Sequence, residues 1–142
     1  MSDDKLSSAL RDLRAATKAL NDLADDVNHT FKSVEASLTA TGVGIRINIP
    51  LGDLDEVEYR LGYTKLGASW RIVIGQMDTD ENDELVMTYR GWEHSPRDVK
   101  IFAIGGLPRL IAELQSQSNR RVAAAQEAIS QIRESLSTDD GE

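Results

Sequence analysis

The stretch Val43-Gly44-Ile45-Arg46-Ile47-Asn48-Ile49-Pro50 decides the fold, because the period of the chain changes there. Branched apolar residues at every second position, with glycine, arginine and asparagine between them, spell a strand with one apolar and one polar face. On the N-terminal side the period is helical. Leu6, Leu13, Leu20, Val27 and Val34 recur every seven residues, and Ala9, Ala16, Leu23 and Thr30 follow three later. Leu10, Ala24, Phe31 and Leu38 widen this seam. The spacing predicts a helix over residues 4–39 with a coiled-coil-like face, ended by Gly42. At about 1.5 Å per residue it is about 54 Å long.

Beyond Val43–Pro50 the alternation continues. Pro50 is expected to stop the first strand. Val57, Tyr59, Leu61 and Tyr63 share one face of a second strand, Gly67-Ala68 marks a turn, and Trp70, Ile72 and Ile74 share a face of a third. A polar loop over 78–84 leads to a fourth strand with Leu85, Met87 and Tyr89. Short connections between alternating strands predict an antiparallel meander over 42–92, covered on one side.

Ser95-Pro96-Arg97-Asp98 is expected to open a helical region over 96–136, with Ser95 as cap and Asp98 completing a capping box. Gly105-Gly106 and Pro108 break or kink it at 105–108. Its second seam is Ile111, Leu114, Ser118, Val122, Ala125, Ile129, Ile132 and Leu136, followed by an acidic tail at 138–142. The expectation is one α+β domain over 1–142. A four-stranded antiparallel meander is packed on one face by long terminal helices, with a short helix after strand four.

Both terminal helices outrun a sheet of strands about 33 Å long, so their seams need burial elsewhere. Either the two helices pair with each other or they pair with another chain. Small and polar seam residues (Ala9, Ala16, Thr30, Ser118, Ala125) thin an intrachain contact and favour a homo-oligomer, a dimer first. The oligomer seam is then Leu6, Leu13, Leu20, Val27, Val122, Ile129, Ile132 and Leu136. The order helix, two hairpins, helix is similar to that of prefoldin-type chaperone subunits, which implies a chaperone-like role. That likeness lies in the order of elements and not in a residue motif.

Composition excludes several functions. The chain has 142 residues, 16 Lys plus Arg against 24 Asp plus Glu, and no cysteine. No disulfide framework, thiolate metal site or cysteine nucleophile is therefore available. His29 and His94 are the two histidines, so a multi-histidine metal site within one chain is not expected. A net charge of -8 argues against binding a phosphate backbone, which needs clustered cations. No secretory signal or membrane span is read, and a cytoplasmic location is expected. Residues 78–98 hold two basic and seven acidic side chains, the densest charge in the chain.

Four clusters are candidate sites. The polar sheet face is expected to carry Arg46, Arg60, Arg71 and Arg90, one per strand, with Asn48, Thr64, Thr88 and Trp92 beside them. Guanidinium forks suit carboxylates and phosphates, so this face is a candidate for a small anion or an acidic peptide. Its plain alternative is a solvated face with Glu58 paired across strands. The loop of Asp78, Asp80, Glu81, Asp83 and Glu84 begins like an EF-hand with Asp78, Asp80 and Asn82. Asp83 replaces the required glycine, however, and Tyr89 stands where the bidentate glutamate belongs. No metal is therefore assigned, and the loop reads as a solvated hairpin or a phosphate mimic against a basic protein. Glu93-His94-Ser95 invites a catalytic reading, but neighbours on a strand point to opposite faces. Gly105-Gly106 lacks the lysine and Ser/Thr of a phosphate loop. No cofactor and no enzyme activity are expected. The expected function is an oligomeric interaction, adaptor or chaperone-like module with a protein partner. The first alternative is a binder of a small anion, and the second an acidic inhibitor of a nucleic-acid-binding protein.

Overall fold

The computed structural model describes residues 2–140. Helix α1 spans Ser2–Thr41, strands β1 to β4 span Ile47–Leu54, Val57–Leu66, Ser69–Thr79 and Leu85–Gly91, and helices α2 and α3 span Arg97–Ile104 and Leu107–Asp140. A 3₁₀ turn at Trp92–His94 joins β4 to α2. The strands form one antiparallel sheet in the order β1-β2-β3-β4. The fold is the α+β arrangement expected from the periodicity.

Local chemistry explains where each element stops. After Thr41 the chain turns on Gly42, at φ +76°, which an L side chain adopts at a cost. Gly42 N–H donates to the Thr39 carbonyl at 3.1 Å and Val43 N–H to that of Leu38 at 3.3 Å, a Schellman cap. Asp55 and Glu56 both take positive φ, 50° and 67°, which makes a two-residue turn matched to strand twist.

Pro50 does not stop β1, contrary to the sequence reading. The strand continues to Leu54 through a bulge between Pro50 and Gly52, which leaves Leu51 without a partner. Proline is tolerated because β1 is an edge strand, and the bulge turns Leu51 toward Gly106. Ser95 is not the cap of α2 either. It closes the 3₁₀ turn through its N–H to the Trp92 carbonyl, and α2 starts from Pro96 without a side-chain cap. Gly105-Gly106 separates α2 from α3, and Pro108 lies in the first turn of α3, where no N–H is required.

The core lies between the sheet and the helices. α1 contributes Val27 and Phe31, the sheet Ile49, Leu61, Tyr63, Ile72 and Ile74, and the C-terminal region Trp92, Val99, Ala103, Leu107, Leu110 and Leu114. Phe31 stacks on Trp92 at 5.3 Å, and Tyr59 meets Phe102 edge-on at 6.2 Å. α1 packs on α2 and β3, whereas α3 packs on β1 and β2. The terminal helices thus dock on different parts of the sheet.

Their outer halves dock on nothing among the described residues. Residues 3–23 of α1 and 119–138 of α3 are exposed throughout. Each arm is about 30 Å long. Leu6 is 59% exposed, Leu13 61%, Ile132 59% and Leu136 59%. Leu20, Val122 and Ile129 are exposed as well. Val27, expected on the same seam, is instead 4% exposed within the core, because the rest of the fold begins to cover α1 at Ala24. Among the described residues no helix is long and apolar enough to cross a membrane.

Candidate functional site

The register of β3 with β4 governs the faces. Ile74 pairs with Arg90, Gln76 with Thr88 and Asp78 with Val86. Even residues of β4 therefore share the helix-covered face of Ile72 and Ile74, the reverse of the sequence reading. Arg90 and Thr88 lie on that side, in a recess of about 270 Å³ with Gln76, Asp78, His94 and Pro96. Trp92 is likewise not on the open face. It is buried against Phe31, with Lys100 Nζ 5.9 Å above its ring.

The four arginines consequently divide. Arg46 and Arg60 remain on the open face, where Arg60 Nε donates to Asn48 Oδ1 at 2.7 Å. Arg71 leaves it to join two acids. Its Nε lies 3.1 Å from Glu35 of α1, and its Nη2 donates to Glu93 of the 3₁₀ turn. Glu35 also accepts the backbone N–H of the buried Ile72 at 2.7 Å. Partial burial pushes the Glu93 carboxyl up. The Arg71 hydrogen bond, a backbone N–H and the charges of Arg71 and His94 outweigh this and hold it below the usual carboxylate range. The Glu93 hydrogen bond, opposed by desolvation and helped by Glu35, pushes Arg71 up. Arg71 is therefore a tie between β3, α1 and the 3₁₀ turn.

Leu85, Met87 and Tyr89 occupy the open face that the sequence reading gave to Arg90 and Trp92. Two glycines make room there. A Cβ on Gly75 would stand 2.6 Å from the Tyr89 ring, and one on Gly62 would stand 3.2 Å from Val73 Cγ2. Tyr89 therefore lies flat over β3. Beside it runs a groove of about 410 Å³, with Val73 and Gly62 as floor and Arg46, Asn48, Thr64 and Tyr89 as sides. The polar face is thus a mixed face, apolar toward β4 and cationic toward β1.

The acidic loop is tied to itself. Asp80 Oδ1 accepts the N–H groups of Asn82 at 2.8 Å and Glu84 at 2.9 Å, and Asp80 N–H donates to the Glu84 carbonyl at 2.8 Å. This carboxylate closes the hairpin, in the manner of an Asx turn. Asp78 accepts from Gln76 Nε2 at 3.0 Å, while Glu81, Asp83 and Glu84 are exposed. Among the described residues no three acidic or imidazole side chains converge as a metal site. Sequence reasoning missed Glu35, whose role arises from a contact 37 residues away that periodicity does not encode. No family model matches this chain, and comparison with curated proteins and with solved structures returned no match.

Proposed function

We propose that the chain is a non-enzymatic interaction module that assembles with a second copy of itself through its helical arms and binds a protein partner. The observation that carries this reading is the exposure of both seams over residues 3–23 and 119–138. Nine large apolar side chains lie on them: Leu6, Leu10, Leu13, Leu20, Leu23, Val122, Ile129, Ile132 and Leu136. Each still exposes roughly half its surface, so covering it is worth about 1 kcal/mol. Two copies bring nine each, a sum that competes with the about 4–15 kcal/mol cost of association. The charges beside the seams permit like to pair with like. Residues 3–23 carry four basic and four acidic side chains, so two such arms do not repel. A seven-residue repeat is also self-complementary in a left-handed supercoil.

Native mass spectrometry of the untagged chain tests the reading. A mass of two copies of 15.6 kDa is expected. A monomer persisting at 100 µM (about a hundredfold above a typical micromolar Kd) refutes it. A second reading, a small anion in the groove beside Tyr89, is favoured by Arg46 standing beside the apolar floor of Val73 and Gly62. Nucleoside triphosphate or citrate at 10 mM, an excess of about 100 Kd for a ligand of about 0.1 mM affinity, then raises the melting temperature by several degrees. No shift with either removes this reading.

A further inference from the structure

The two edges of the sheet are built differently. β1 carries the devices that blunt an edge: Pro50 without an N–H, a bulge at Leu51, and Arg109 donating to the Pro50 carbonyl at 2.7 Å. β4 carries none. It runs from Leu85 to Gly91 without proline, lysine or bulge, and it packs on the rest of the fold chiefly through β3. Leu85 is 73% exposed and Val86 43%.

The polarity of this edge follows from one hydrogen bond. The Glu84 carbonyl accepts from Asp80 on the β3 side. Backbone groups alternate along a strand, so those of Val86, Thr88 and Arg90 also point to β3. The N–H and C=O groups of Leu85, Met87 and Tyr89 then point outward, without a partner among the described residues.

We infer that β4 pairs antiparallel with β4 of a second copy, about a two-fold axis at Met87, joining two sheets into one of eight strands. This surface is separate from the helical arms, and the inference goes beyond the arm-mediated assembly. Register selects the axis. Centred on Met87, Leu85 lies opposite the partner's Tyr89 and Val86 opposite the partner's Thr88. Glu84 then lies opposite the partner's Arg90, twice by symmetry. That last pair is of the kind without mutual hydrogen bonds, in which side chains approach most closely. Centring on Thr88 instead sets Arg90 against Val86 and loses both charge pairs. In the Met87 register the two acidic loops stand about 20 Å apart along the strands, beyond the screening length of about 8 Å at physiological salt. The cysteine-free, anionic chain thus presents one self-complementary edge, as a two-fold interface requires.

The absence of cysteine also supplies the test. Met87→Cys, Leu85→Cys and Tyr89→Cys are oxidised separately at 20 µM, and disulfide-linked dimer is read on a non-reducing gel. Residues directly opposite in a hydrogen-bonded pair have Cα atoms about 5.5 Å apart, within disulfide range, whereas residues 85 and 89 lie about 13 Å from their own symmetry mates. Met87→Cys is expected to cross-link at least tenfold more than either neighbour, also when Leu13→Asp and Ile132→Asp disable the arms. Equal yields at all three positions, or none at Met87, overturn the inference while leaving arm-mediated assembly to its own mass measurement. Hydrogen exchange on the unmodified chain checks it without substitution. The Leu85, Met87 and Tyr89 amides slow at least tenfold between 1 and 200 µM, and concentration-independent exchange at these amides overturns it.

Discussion

Removing the Glu35 carboxylate should loosen the joint between α1 and the sheet more than any other single polar change. Ile72 is fully buried, and its N–H has the Glu35 oxygen 2.7 Å away as acceptor. Glu35→Ala leaves this donor in the core with no partner, which costs about 1–3 kcal/mol. Arg71 loses one of its two acids as well but keeps Glu93 and remains partly solvated, so that loss adds less than about 1 kcal/mol. The sum is about 2–3 kcal/mol. Glu35→Gln separates the two effects, because its amide oxygen still accepts from Ile72 while the charge is gone. It should cost less than half as much. Equilibrium urea unfolding reads both, with an unchanged slope and a lowered midpoint. If alanine and glutamine are equally destabilising, the orphaned N–H is not the cause. If alanine costs less than about 0.5 kcal/mol, Glu35 is not a tie at all.

Three further outcomes are expected. Glu93 is held below its ordinary value of 4.5 in the fold, so it protonates more readily when unfolded and stabilises the fold above about pH 4.5. That stability fades as pH falls through the folded value; the melting gap between wild type and Glu93→Gln should close below pH 4.5, and a constant gap from pH 3 to 6 refutes it. The Tyr63 hydroxyl is buried without a hydrogen-bond partner, so Tyr63→Phe should be neutral or stabilising by up to about 1 kcal/mol, and a clear loss in urea unfolding contradicts this. Val27 and Leu13 belong to one heptad column but to different environments. Val27→Asp should cost more than about 4 kcal/mol, whereas Leu13→Asp should leave the unfolding of a dilute monomer within about 0.5 kcal/mol and weaken self-association, as sedimentation velocity would report.

Most of the architecture is legible in the residues because period reports element type directly. Seven-residue spacing gave α1, and Ile45, Ile47 and Ile49 gave β1 its inward face. Period says nothing of what an element packs against. Leu13 and Val27 are equivalent in sequence, yet only Val27 reaches the core, since the difference depends on where the docked half of the helix begins. The face of β4 is a related case. Leu85, Met87 and Tyr89 are the more apolar set, so hydrophobicity places them inward. The hairpin register places them outward, because Asp80 closes the loop against Glu84 and thereby sets Ile74 opposite Arg90. One carboxylate accepting two backbone N–H groups thus outweighs the side-chain pattern of a whole edge strand. The consequence is functional. With the opposite parity of β4, Arg90 would have joined Arg46 and Arg60 on the open face and the three would have suited an anion. With the parity observed, it carries two arginines beside an apolar strip that reaches the unblunted edge of the sheet. An apolar strip at a free edge favours another strand over a small ion, because it offers unpaired backbone groups and cross-strand side-chain contacts together.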